Sequence, residues 1–110
     1  MGKGEVLGEF EAVVLLAVLR VGGPAHAASA HREIQETTGR DVSIATVHVT
    51  LNRLVSKGYV TVRIDSEGAG RPRKVFTLLP VGAAQLDRQR RQFDALWDGV
   101  ELPGAPSEAP

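Results

Sequence analysis

The chain has 110 residues, 13 Lys/Arg against 13 Asp/Glu, and no cysteine. That length suits one domain with one core, and the missing cysteines exclude a disulfide framework or a thiolate zinc site. No apolar run approaches the ~18 residues of a membrane span, and the N-terminus lacks the pattern of a signal peptide, so a soluble cytoplasmic protein is expected.

The zero net charge hides an uneven distribution. Residues 1–42 carry four cations against six acids, residues 43–80 six against two, and residues 81–110 three against five. The central third is therefore positive, which matters more for steering toward phosphate than the whole-chain sum.

Residues 1–6 are predicted to be a flexible N-terminus. From Leu7 to Val21 the apolar positions Leu7, Phe10, Val13, Val14, Leu16, Ala17 and Val21 predict a helix, stopped by Gly22-Gly23-Pro24. Apolar groups on more than one of its faces imply more than one packing partner. One of them can be a second subunit, with Phe10 and Val14 as candidates; a small domain wrapped around the helix gives the same pattern. Ala25 to Thr38 predict a second helix closing at Gly39, with Ala27, Ala30 and Ile34 inward. A short connection through Gly39 to Val42 then joins it to a third helix as a helix-turn-helix.

The third helix is the informative one. Ser43 can cap it through its hydroxyl, Gly58 can end it, and Ile44, Val47, Leu51, Leu54 and Val55 form an apolar stripe. The other face carries Thr46, Val49, Thr50, Arg53, Ser56 and Lys57 and no acid. Hydroxyls, a methyl-bearing side chain and two cations are groups that read base edges and phosphates in a major groove. An amphipathic surface helix with its polar face in water would show the same pattern. Ser43 and His48 join the candidate DNA contacts, His48 at the edge of the apolar stripe.

Tyr59 to Asp65 alternates, with Val60, Val62 and Ile64 on one face, which predicts a half-buried strand. Ser66 to Pro72 is turn chemistry and Arg73 to Leu78 the return strand. A hairpin in this place is a wing, and Arg71, Arg73 and Lys74 give it a basic tip suited to phosphate or the minor groove. Pro80 can open a last helix, running to about Trp97–Val100 with Val81, Ala84, Phe93, Leu96, Trp97 and Val100 as its apolar positions. Phe93 and Trp97 stand one turn apart and need cover; a partner helix supplies it, making Phe93, Leu96 and Trp97 candidate dimer contacts. Glu101 to Pro110 has the composition of a disordered tail.

Taken together, the expected fold is mainly α with a small β-hairpin: a winged helix-turn-helix over residues 7–79, a C-terminal dimerisation helix over 80–100 and a tail over 101–110. The chain resembles the PadR family of bacterial winged-helix transcriptional regulators. The resemblance covers about Leu7 to Leu86 and rests on five segments in order: Leu7-Gly-Glu-Phe-Glu11, Arg32 to Ser43, Thr46 to Gly58, Gly70 to Leu78, and Pro80-Val-Gly82. It implies a homodimer held by the first and last helices on a pseudo-palindromic operator in double-stranded DNA. Three positions depart from the family pattern: His48 stands where Tyr is common, Ala27-Ala28 replaces a Gly-Tyr pair, and Leu79 replaces a capping Thr.

Other chemistry finds little support. His26 and His31 are five residues apart, off the spacing that shares a helix face, and His48 lies on another element, so no metal site is expected. No nucleophile with its base, phosphate-cradling loop or paired-carboxylate site is visible, so neither an enzyme nor a cofactor is expected. Two readings remain: a dimeric DNA-binding repressor, or a winged-helix module that binds another protein and not DNA. For the first, a small aromatic effector stacking on Phe93 and Trp97 between the subunits is a further possibility; packed dimer core is the plainer role for that pair.

Overall fold

The computed structural model of the chain contains, in order, α1 (Glu9–Val21), α2 (Ala27–Thr38), α3 (Ile44–Ser56), β1 (Val60–Asp65), β2 (Arg73–Leu78) and α4 (Pro80–Trp97). It describes residues 6–66 and 70–104. The expectations for residues 1–5, for the hairpin tip at 67–69 and for the tail over 105–110 fall outside the described residues. Four helices and one antiparallel hairpin give the mainly α, winged-helix architecture that the sequence predicts.

Helix α1 is the centre of the packing, with α2, α3, β2 and α4 all against it. Val14, Leu15, Ala17 and Val18 form its buried side, and Gly22 closes it in the left-handed conformation. Leu16 and Leu19 turn outward instead. Val14 is fully buried within its own subunit, so its expected place in a dimer interface is corrected: the domain core already uses it. Phe10 is half-buried beneath the Arg40 guanidinium, 5.4 Å from its ring centre.

Helix α2 starts two residues later than predicted, because Ala25 is drawn into the sheet. Its N–H and C=O exchange hydrogen bonds with Phe76 at 2.9 and 2.8 Å, which adds a third edge beside β2. Ala30 and Ile34 then face the core. The turn into α3 is held by His31, whose Nε2 must donate to the Val42 carbonyl (2.7 Å), and by Arg40, which grips Glu9 through two nitrogens at 2.7 and 3.2 Å.

The hairpin pairs Val60 with Leu78 through to Asp65 with Arg73. It is not half-buried along its length as expected. Val60, Val75 and Phe76 are buried near its base, while Val62 and Ile64 are 37% and 56% exposed. The strands outrun the small core beneath them. Helix α4 begins at Pro80, as predicted, and is pinned by Gly82: a Cβ there would lie 2.6 Å from the Tyr59 carbonyl, so only glycine fits. Its buried residues are Gly82, Gln85 and Leu86; of the positions expected to be apolar contacts, Val81 and Ala84 are exposed. From Arg90 onward it leaves the domain, with every side chain exposed.

One buried ion pair joins the first helix to the third. Glu11 is 6% exposed, and its Oε1 accepts from the Gly8 N–H (2.7 Å) and from Lys57 Nζ (2.8 Å). The Gly8 bond starts α1 in the manner of a capping box, which explains why the helix begins at Glu9 and not Leu7. Burial by itself pushes the Glu11 pKa up. The Lys57 and Gly8 hydrogen bonds and the charges of Lys57 and Arg53 outweigh it and hold the value below the ordinary 4.5. A carboxyl group with a lowered pKa in the fold stabilises the protein above its unfolded pKa, and that stability is lost as pH falls through the folded value. Glu11→Gln is therefore expected to lower unfolding free energy at pH 7 by about 1.5–3 kcal/mol, the worth of a hydrogen bond to a charged group. The gap from wild type, followed by urea denaturation, should close below about pH 4; a gap constant from pH 7 to 3 would show that the ion pair is not its source.

Candidate nucleic-acid interface

Helix α3 is positioned at both ends by local chemistry. Ser43 Oγ accepts from the Thr46 N–H at 3.0 Å and lies 2.9 Å from the Thr46 hydroxyl. At the other end the Lys57 N–H donates to the Arg53 carbonyl, and Gly58 turns the chain with φ +84°. The predicted cap and stop are both present.

The helix is, however, rotated from its expected orientation. Its buried side is Val47, Thr50, Leu51 and Leu54, while Ile44 is 47% exposed and Val55 only partly buried. The facing therefore turns by roughly 40° from the predicted stripe. Two predicted DNA contacts are corrected by this turn. Thr50 is 3% exposed and its hydroxyl donates to the Thr46 carbonyl (2.9 Å), so it is a satisfied core residue that cannot reach a base. Lys57 is turned toward Glu11 with its ammonium neutralised there, so it is not presented to a phosphate.

Thr46, Val49, Arg53 and Ser56 remain on the outer side of the helix. The turn adds two residues that the predicted stripe leaves out: Ala45, which is exposed, and Asn52, which is partly exposed. A wheel centred on Val47, Leu51 and Leu54 alone finds both. His48 is half-buried, and its ring meets Phe76 of β2 edge-on at 6.1 Å and 85°. That contact sets the hairpin against the His48–Asn52 edge of α3, and by the helical period Arg53 falls on the far edge of the outer face.

The hairpin carries Arg71, Arg73 and Lys74, all exposed. Among the described residues no carboxylate forms an ion pair with Arg53, Arg71 or Lys74. Arg73 donates to Nε2 of His26 (2.9 Å), and Nδ1 of His26 meets the Lys74 carbonyl (3.2 Å). A neutral imidazole protonated at Nδ1 satisfies both contacts. The arginine, opposite Asp65 at the turn end of the strands, is thereby held beside the start of α2. The two elements carry cations, small side chains and one amide at exposed or partly exposed positions.

The other predicted cluster lies elsewhere. Phe93, Leu96 and Trp97 are 63%, 71% and 55% exposed and line an open groove of about 660 Å³ with Leu7, Val13 and Leu16 of the first segment. Phe10 is not among its lining residues. Gln89 Oε1 is buried in the wall of this groove without a hydrogen-bond partner. Among the described residues, no group of three His, Asp or Glu could hold a metal ion, and no helix is long and apolar enough to cross a membrane.

Comparison with known proteins agrees with this architecture. A family model described as the transcriptional regulator PadR-like family matches residues 15–88. Among solved structures, F93 from STIV, a winged-helix DNA-binding protein, superposes with a TM-score of 0.69 at 13% identity, over 88% of this chain and 100% of its own. PadR of Bacillus subtilis, in complex with operator DNA, gives 0.62 at 19% identity, over 93% of this chain and 54% of its own. BpsR of Bordetella bronchiseptica, whose DNA binding is regulated by 6-hydroxynicotinic acid, gives 0.60 at 22% identity, over 86% and 68%. A search of curated proteins finds no match.

Proposed function

As this chain belongs to the PadR-like family of transcriptional regulators, we propose that it acts in the cytoplasm as a homodimeric repressor on a pseudo-palindromic operator. The observation that carries the reading is the side of the molecule where the outer face of α3 meets the basic hairpin. Thr46, Val49 and Arg53 stand exposed on the helix and Arg71, Arg73 and Lys74 on the hairpin, with no acid paired to Arg53, Arg71 or Lys74 among the described residues. Helix α3 enters the major groove. Arg53 reaches a base edge or phosphate, the Val49 methyls meet a thymine methyl, and the hairpin lies along the backbone. The superposed operator complex of a PadR protein supports the same use of the fold. Arg53→Ala is expected to weaken specific binding by about 1–3 kcal/mol. Replacing Arg71, Arg73 and Lys74 together by Ala should weaken all duplexes alike and flatten the salt dependence by about one unit of slope per lost contact. Fluorescence anisotropy across a salt series reads both effects; an unchanged slope would remove the hairpin from the interface.

The groove between α1 and α4 is the proposed dimer surface. Phe93, Leu96, Trp97, Leu16 and Val13 form a continuous apolar strip, and exposed aromatic groups of that size mark an interaction site. A second copy laid along it would cover both aromatic rings and set two α3 helices for half-sites about 34 Å apart, one duplex turn. Sedimentation is expected to show a dimer at micromolar concentration, and Leu96→Asp with Phe93→Asp a folded monomer. A monomeric wild type would rule the interface out.

Phe93 and Trp97 would then face the partner's copies across the interface. A flat aromatic effector would stack there and release the operator by favouring a different spacing of the two α3 helices. The regulation of BpsR by 6-hydroxynicotinic acid supports this class of effector. Trp97 is the single tryptophan, so its emission reports the site directly. Quenching by a planar aromatic acid, reversed by added operator, is the expected result, and silence across a broad panel would leave Trp97 as interface packing.

A further inference from the structure

One polar group on the outer face of α3 has no role in the proposed function so far: the amide of Asn52. It stands one turn after His48, partly exposed, on the edge of the helix next to the hairpin. Its Nδ2 lies 3.4 Å from His48 Nδ1. An amide nitrogen only donates, so the imidazole nitrogen is the acceptor and His48 carries its proton on Nε2. His48 is fixed in turn by its edge-on contact with Phe76, which is fully buried and bonded through its backbone to Ala25. A chain of contacts thus runs from the core of the domain to one partly exposed carboxamide.

The chemistry of that group is specific. A carboxamide has one acceptor oxygen and two N–H donors. With one N–H engaged by His48, the oxygen and the remaining N–H are left side by side. Adenine presents the complementary pair in the major groove, an N6 amino donor next to the N7 acceptor, and an asparagine meets both at once. Neither Thr46, whose hydroxyl is already shared with Ser43, nor Val49 offers such a pair.

We propose that Asn52 reads an adenine in each half-site, and that His48 is the positioning residue that orients its amide. The proposal rests on α3 entering the major groove. A freely rotating amide would meet the base with its donor and acceptor exchanged as often as not, so the imidazole acceptor turns a polar contact into a selective one.

Selection from a random-sequence duplex library by the full chain, followed by sequencing, tests this without a known operator. The wild type is expected to enrich a two-fold motif with one adenine per half-site that Asn52→Ala no longer prefers. Preference at that position should fall by about tenfold, the rest of the motif being kept. Asn52→Asp, which only accepts, should move the same position toward cytosine, whose N4 amino group donates. His48→Phe keeps an aromatic ring against Phe76 and removes the acceptor, so it should loosen that position and no other. Far-ultraviolet circular dichroism melts establish which variants fold, and Asn52→Asp still reads the position if Asn52→Ala does not. An unchanged motif in a folded Asn52 variant would overturn the adenine assignment, and an intact adenine preference in His48→Phe would overturn the positioning role. A wild type that enriches no motif would instead overturn the DNA-binding reading itself, and this proposal with it.

Discussion

The buried Glu11 carboxylate is the constraint around which the molecule is arranged. One oxygen holds the first turn of α1 through Gly8 and the end of α3 through Lys57. An unpaired charge at such depth would be strongly destabilising, so the two helices are fixed against each other wherever the pair forms. Lys57 would otherwise lie at the margin of the α3 outer face, and its capture leaves Arg53 as that helix's exposed cation. The same bond connects the helix that lines the α4 groove to the helix proposed to read DNA. A shift of α1 against a partner subunit would be passed to α3 through this contact and the apolar packing around it.

A second set of contacts fixes the hairpin. Ala25 pairs with Phe76, Phe76 carries the edge of His48, and His26 binds Arg73 and the Lys74 carbonyl. The start of α2, strand β2 and the middle of α3 are joined by these bonds, although Val62 and Ile64, opposite Phe76 and Lys74 on β1, stay partly or largely exposed. Strand β2 is therefore held against the domain from Phe76 to Arg73.

How much of the fold is legible in the sequence depends on the range of each interaction. The Ser43 cap, the Gly58 stop and the Pro80 start depend on neighbouring residues, and each lies where its chemistry places it. The element order and the strand β2 are legible for the same reason. The facing of α3 is not. Ile44 and Val55 suggest a stripe, but the core takes Thr50 instead, made tolerable by a hydroxyl bond to Thr46 that no pattern announces. Lys57 looks free in the sequence because its partner is 46 positions away. Val14 looks available for a partner because the sequence cannot show how completely one small domain surrounds α1. Asn52 escapes notice through the same rotation of roughly 40° that puts Thr50 on the predicted outer face. On α4 the aromatic pair Phe93 and Trp97 is exposed in the isolated chain.

The outer face of α3 and the basic hairpin are proposed to form one duplex-binding surface, separate from the α1–α4 groove. The most direct test is an amide chemical-shift titration of the labelled chain with a short mixed-sequence duplex at low salt, where phosphate contacts dominate. Changes are expected at Ala45, Val49, Arg53 and Ser56 on the helix and at Arg71, Arg73 and Lys74 on the hairpin, with Leu16 and Phe93 unmoved. Changes confined to the groove, or none along α3, would contradict the proposal.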